Sequence, residues 1–287
     1  MDFIQPTTWE DALAAKAARP ESLPIAGGTD VMVDLNFDRE RPDAILDLTR
    51  VPELREWAAE NGRLRVGAGV SYARVIAELG DQLPGLAMAS RTVGSPQIRN
   101  RGTVGGNLGA ASPAGDAHPP LLAARAEIEL ASVRGSRRVH AREFFVGPKE
   151  NVLADDELIA AVHLERARGA QQFSKIGTRN AMVIAACSFA LSLDPEARRA
   201  GTGIGSAGPT PLVAAEAEEF LEGALGEANA WEGGPLPNSA LDRFGELVAA
   251  AARPIDDVRS TAAYRIHALG VLARRTLGWA QGEERRR

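Results

Sequence analysis

Apolar and polar positions follow one rhythm in the first part of this 287-residue chain and another in the second. At the start, short apolar runs of strand length are separated by stretches with helical spacing. Thr8, with Asp11 three residues on, forms a capping pattern; Trp9, Ala12, Leu13 and Lys16 then recur at helical intervals until Pro20 ends the element. Ile25 leads, as a strand, into Gly27-Gly28. Beyond it Val31, Val33 and Leu35 alternate with Met32 and Asp34, which fits a strand or a short helix capped by Thr29 or Asp30. A helix is preferred, because it puts the glycine pair at the positive end of a dipole. Residues 43–48 and 63–68 read as strands, and 71–79 as a helix with Val75, Ile76 and Leu79 facing inward. A short helix starts at Pro119-Pro120, residues 127–132 and 137–140 form a hairpin across Gly135, and a strand runs from Leu158 to Leu164. After Arg166-Ala167-Arg168-Gly169-Ala170 strands come in sequence, at 172–176, 182–193 and 202–207, followed by helices at 244–252 and 262–279. In the last helix Ile266, Leu269, Leu272, Ala273, Thr276 and Leu277 make an apolar stripe with Arg265, Arg274 and Arg275 off it, and residues 224–237, which hold glycine and proline, predict a loop.

The rhythm is interrupted most strongly between Gln97 and Asp116, where five of twenty residues are glycine and Gly105-Gly106 lies between Val104 and Asn107. Adjacent glycines let main-chain N–H groups approach a ligand and form an anion-binding concavity, and a helix following Asn107 would add its own free N–H groups. A phosphate suits such a loop. The earlier stretch Ile25-Ala26-Gly27-Gly28-Thr29-Asp30 offers the same device, and a diphosphate carrying two sugars can use both.

Ala26-Gly27-Gly28-Thr29-Asp30 and Gln97-Ile98-Arg99-Asn100-Arg101-Gly102-Thr103-Val104-Gly105-Gly106-Asn107 resemble the two FAD-diphosphate motifs of the FAD-binding medium subunit of molybdenum hydroxylases, the group of xanthine dehydrogenase and aerobic carbon monoxide dehydrogenase flavin subunits. The resemblance extends from Phe3 to about Trp279. It implies an α+β fold: a PCMH-type, two-lobed FAD-binding domain at 1–167, a C-terminal α+β domain at 168–280 like that of carbon monoxide dehydrogenase flavoproteins, and a tail at 281–287. It implies FAD held by Ile25, Ala26, Gly27, Gly28, Thr29 and Asp30 and by Thr103, Val104, Gly105, Gly106 and Asn107. Asp116 matches the family aspartate at the ribityl chain, Lys175 the lysine near the flavin ring, and Ile159 and Ile184 apolar residues packed on the cofactor. Around Asn180-Ala181-Met182-Val183 the chain departs from the pattern, since many relatives carry an aspartate there. Read without the family, Asp116 is a helix cap, Lys175 a solvated strand residue, and both isoleucines are core. The resemblance further implies a large partner subunit with the molybdenum cofactor, a small one with two [2Fe–2S] clusters, and NAD or a quinone as acceptor. A free-standing flavoprotein oxidase or reductase, and a non-enzymatic subunit that has lost FAD, are the alternatives.

Composition narrows the field. With 45% hydrophobic and 25% charged residues the chain is that of an ordinary globular protein, long enough for two cores. A net charge of −5 argues against nucleic acid or an anionic membrane as partner, and the terminal Arg285-Arg286-Arg287 reads as a solvated tail. The N-terminus lacks the basic and apolar regions of a secretory signal, and the longest apolar run, 181–193, is too short to span a bilayer, so a cytoplasmic protein is expected. One cysteine, Cys187, cannot ligate an iron–sulfur cluster, which places metal-centred redox chemistry on another chain.

Other motifs promise less. Gly203-Ile204-Gly205-Ser206-Ala207-Gly208 matches a dinucleotide fingerprint in letters, but Arg198-Arg199 precedes it and Pro209-Thr210-Pro211 follows, so a closely packed strand is expected. His118, His140, His163 and His267 show no metal-ligand spacing, and neither Ser112 nor Cys187 has the surroundings of an activated nucleophile, so no metal and no catalytic residue are assigned. Asp155-Asp156-Glu157 reads as a solvated turn.

Overall fold

A computed structural model of the chain describes residues 1–60 and 62–284. The first lobe alternates strand Asp2–Ile4 (β1), helix Trp9–Ala18 (α1), strand Leu23–Ile25 (β2), helix Val31–Asn36 (α2) and strand Ala44–Asp47 (β3). Its three strands are parallel, in the order β1-β3-β2. Thr8 caps α1 as the pattern requires, its hydroxyl accepting from the Asp11 amide. In α2 Asp30 stands at the cap position without a side-chain cap bond, and none of the helix's residues is buried.

The second lobe begins with strands Trp57–Glu60 (β4) and Arg63–Gly67 (β5), followed by helices Tyr72–Glu78 (α3), Pro84–Thr92 (α4), Pro96–Arg101 (α5), Val104–Ala110 (α6) and His118–Ala123 (α7). Then come Glu127–Ser132 (β6), Gly135–His140 (β7), the short helix Ala141–Phe144 (α8), Phe145–Gly147 (β8), Glu150–Asn151 (β9) and Leu158–Glu165 (β10). The antiparallel sheet runs β4-β5-β10-β6-β7, and the long returning strand β10 lies at its centre. One core, with Leu46, Val66, Val104, Leu108, Ile128 and Val162 fully enclosed, serves both lobes. Apolar burial over such a core is the main force holding the helices of the glycine-rich segment to the sheet.

Beyond residue 170 the antiparallel strands Gln171–Ile176 (β11), Cys187–Asp194 (β12) and Arg199–Gly205 (β13) form a sheet backed by helices Ala215–Glu227 (α9), Asn238–Ala251 (α10) and Ala262–Glu284 (α11). A second core, including Phe189, Ile204, Leu221, Phe244, Leu269 and Leu277, fills the space between. The whole is α+β, as expected.

Several expectations need correction. The helix at the second glycine pair begins at Val104, before the glycines rather than after Asn107. Strand β12 starts at Cys187, not 182; Met182 has φ 50° and is exposed, as is Ile184. Helix α9 continues to Glu227, into the stretch expected to be a loop, because Leu221 and Leu225 are buried in the second core. Arg265, placed off the apolar stripe of α11, is buried, whereas Ile266 is 39% exposed. The guanidinium of Arg265 donates to the Ser206 carbonyl and pairs with Asp257, so burial is satisfied by partners that lie far off in sequence or on a loop. Glu157 likewise is buried against Arg137 rather than solvated. Helix α11 reaches Glu284, past its expected end at 279, and the Arg285–Arg287 tail lies outside the described residues. The fingerprint-like Gly203 is a strand residue on α7: a methyl group there would come to 1.9 Å from the Pro119 carbonyl oxygen.

Candidate functional site: two glycine loops and a buried ion pair

The first glycine pair packs against the stretch that leads into the second. A methyl group on Gly27 would come to 2.1 Å from the carbonyl oxygen of Arg101, the last residue of α5, and to 2.9 Å from the Gly102 Cα. The missing Cβ of Gly27 therefore lets the first loop seat against the second, which is a protein–protein use of glycine inside one chain. Gly28 turns the chain with φ +74°, a backbone setting that L side chains strain to adopt.

From Gly27 to Val31 the main-chain amides find no acceptor in the protein among the described residues. These amides are left unpaired, as an anion-binding concavity in the first loop would require. The second loop differs from its expectation. Val104 donates to the Val70 carbonyl, Gly105 to that of Ala68, Gly106 to the Thr103 hydroxyl at 2.9 Å, and Asn107 to the Thr103 carbonyl. All four amides are engaged, because Thr103 is an N-cap of helix α6 and an isolated bridge joins it to Ser71. Gly105 is fixed by packing, since a methyl there would lie 2.4 Å from the Ala68 Cβ, whereas Gly106 meets only the Thr103 hydroxyl, at 3.0 Å. Ile159, on β10, is buried beside this helix, near Gly109.

The predicted Asp116 and Lys175 are brought together as an ion pair. The Lys175 ammonium, from β11, donates to Asp116 Oδ2 at 2.7 Å and to the Thr92 carbonyl at 3.2 Å, and the Thr92 hydroxyl shares its proton between the Ala89 carbonyl at 2.8 Å and the same carboxylate oxygen at 3.3 Å. Both charged side chains are nearly enclosed. Burial pushes the Asp116 carboxyl above the usual range, against Lys175 and Thr92, which favour its charged form. Its second oxygen, Oδ1, is buried and unpartnered, and so is Oδ1 of Asn107. Lys175 therefore carries no free charge towards a ligand; what the pair leaves open is a carboxylate oxygen. Ile184 lies apart from this cluster on the exposed segment before β12.

Sequence reasoning passed over Thr92, the end of α4, because a threonine in an alanine-rich helix carries no signal of its contacts. It passed over His118 as a support as well: buried, it hydrogen-bonds the Asn107 carbonyl through Nε2, and burial lowers its pKa to about 4. Cys187 is an inert thiol, pushed up to about 12 by burial.

Free amides on one side and buried, unpartnered oxygens on the other are what a binder of an elongated, anionic, hydroxyl-bearing ligand offers. FAD, with its diphosphate and ribityl chain, fits that donor and acceptor set. Residues 1–165 match the FAD binding domain in molybdopterin dehydrogenase, and residues 172–280 the CO dehydrogenase flavoprotein C-terminal domain. The xanthine dehydrogenase FAD-binding subunit of Escherichia coli O157:H7 is 31% identical over 97% of this chain and 95% of its own length. The nicotinate dehydrogenase FAD-subunit of Eubacterium barkeri is 32% identical over 78% of this chain and 80% of its own. In the solved CO dehydrogenase from Oligotropha carboxidovorans, one chain superposes with a TM-score of 0.89 at 26% identity, covering 99% of this chain and 98% of that one. The chain belongs to the family of FAD-binding subunits of molybdenum hydroxylases. It is an FAD-carrying oxidoreductase subunit that works in electron transfer within a multi-subunit complex, and neither alternative raised by the sequence is favoured. Among the described residues no helix is long and apolar enough to cross a membrane.

Proposed function

We propose that the chain holds FAD with both glycine loops, through Ile25, Ala26, Gly27, Gly28, Thr29 and Asp30 of the first and Thr103, Val104, Gly105, Gly106 and Asn107 of the second, with Asp116, Ile159 and Lys175 beyond them. The run of unengaged amides from Gly27 to Val31 supports placing the diphosphate at the first loop. In this reading the second loop is a wall: its helix is capped and its amides are taken, so it shapes the site and leaves the Asn107 side-chain oxygen as its acceptor. Asp116 accepts from ribityl hydroxyls through Oδ1, while Lys175 and Thr92 keep the carboxylate charged and aimed. Residues 1–167 and 168–280 act as two domains, joined at this site by the Asp116–Lys175 pair.

When bound, FAD supplies the ability to accept electrons singly and to release them in pairs. The donors are two [2Fe–2S] clusters on a small partner subunit, themselves reduced by the molybdenum cofactor of a large one; NAD or a quinone is the acceptor, and the complex is cytoplasmic. Co-purification from the native source, with flavin and metal analysis, tests this. A yellow complex releasing FAD on denaturation, with molybdenum and iron on other chains, is expected. A colourless chain that takes up no FAD would sink the proposal.

A further inference from the structure

Eight buried side-chain nitrogen or oxygen atoms among the described residues have no hydrogen-bond partner. Two are Nε atoms of Arg63 and Arg265, whose guanidinium groups bond through other nitrogens. Asn107 Oδ1 and Asp116 Oδ1 belong to the site already described. One of the others is the phenol oxygen of Tyr72, the first residue of α3, which no part of the sequence motifs included.

Tyr72 lies beneath both loops. Its amide donates to the Gly102 carbonyl at 3.0 Å, and a methyl on Gly102 would lie 3.4 Å from its ring carbon Cδ2 and 3.4 Å from the Thr29 hydroxyl of the first loop. Only 2% of the residue is exposed. Burial, with the carboxylates of Asp116 and Asp30 nearby, holds the phenol well above its ordinary pKa, so it remains an O–H donor at every physiological pH. A buried donor with no acceptor is costly and rare, and a phenylalanine would fill the same volume without that cost. The hydroxyl needs an acceptor that the described residues do not provide.

Resting on the assignment of FAD to this site, we propose that Tyr72 is a further cofactor-anchoring residue, its hydroxyl donating to an oxygen of the diphosphate–ribityl chain. Its position next to Gly102, which Thr29 also approaches, puts it where the two loops meet. The donor complements the acceptor Asp116 Oδ1, so the site can satisfy both kinds of polar group along one ligand.

The test compares the full-length chain with Y72F, each stripped of flavin and titrated with FAD. Affinity is read from flavin fluorescence, and the melting temperature is read with and without FAD. Y72F is expected to bind FAD about tenfold more weakly, the loss of one hydrogen bond to a charged or polar oxygen. Without flavin it should melt at the same temperature as wild type or higher, because it no longer buries an unsatisfied hydroxyl. Equal affinities would overturn the inference, as would a lower flavin-free melting temperature for Y72F, which would mean that the hydroxyl serves the fold. If the wild-type chain bound no FAD at all, the assignment of the site would fail first, and the two failures are thereby distinguishable.

Discussion

The first and second glycine loops carry the same dipeptide and use it in opposite ways. Around Gly27-Gly28 little is buried: α2 hides none of its residues, and five successive amides have no acceptor among the described residues. Around Gly105-Gly106 almost everything is settled, with Val104 and Leu108 fully buried, the first-turn amides bonded, and Thr103 capping the helix. One loop is left open for a ligand and the other is closed upon the protein. A shared motif thus does not fix a shared role: the hydrogen-bond inventory of each loop shows which one has amides left to offer.

Breaking the charge beside the second loop should have the largest effect. Replacing Lys175 with Met strands the buried Asp116 carboxylate, and about 3 to 5 kcal/mol of stability should be lost in urea unfolding, with D116N/K175M recovering most of it. Acid should act next, through His118, which supports the second loop at Asn107. Its folded pKa, about 4, lies below the unfolded value near 6.5, so the unfolded chain binds the extra proton. Stability is then unaffected by this group above about pH 6.5, and falls between there and about pH 4 by something on the order of 3 kcal/mol. H118Q should flatten that slope in a pH series of melting curves; an unchanged slope would refute it.

The remaining predictions set the loops directly against each other. Gly105→Val drives a side chain into Ala68 and should cost up to about 3 kcal/mol of fold stability. Gly28→Ala finds room, its nearest neighbours being side-chain carbons of Ile25 and Met32 at 3.4 and 3.5 Å. Only the positive φ opposes it, at about 1 to 2 kcal/mol. Because α2 buries nothing, that strain should show mainly as weaker FAD retention in titration rather than in the unfolding midpoint. The smallest and sharpest contrast is at the caps: Thr103→Ala should lower stability by about 1 kcal/mol, whereas Asp30→Ala, which removes no cap bond, should leave the melting temperature where it was.

Much of this was legible in the residues. Thr8 declared the start of α1, and Gly135 marked the hairpin, although it opens the second strand and the turn itself is Val133-Arg134. These are local signals, carried by spacing and turn chemistry. What escaped detection depends on partners distant in sequence. Arg265 looked solvent-facing because neither Ser206, 59 positions away, nor Asp257 in the preceding loop is visible in a helical wheel. The Asp116–Lys175 contact spans 59 positions, so each residue suggested a separate role. For the same reason the amides of Val104 and Gly105 looked free, since their acceptors Val70 and Ala68 precede α3, α4 and α5; those of Gly106 and Asn107 are taken locally, by the Thr103 cap. Tyr72 gave no warning, since an aromatic residue after a serine cap is ordinary core in any sequence.

The lysine on β11 has a consequence for anyone dividing the molecule. A fragment ending at residue 167 would keep the carboxylate at 116 but lose the cation that pairs with it, and a graft of a foreign C-terminal half would have to bring an amine to the same spot. The two halves are thus interdependent as heritable units: either can change freely on its outer surfaces, but at this seam they must change together.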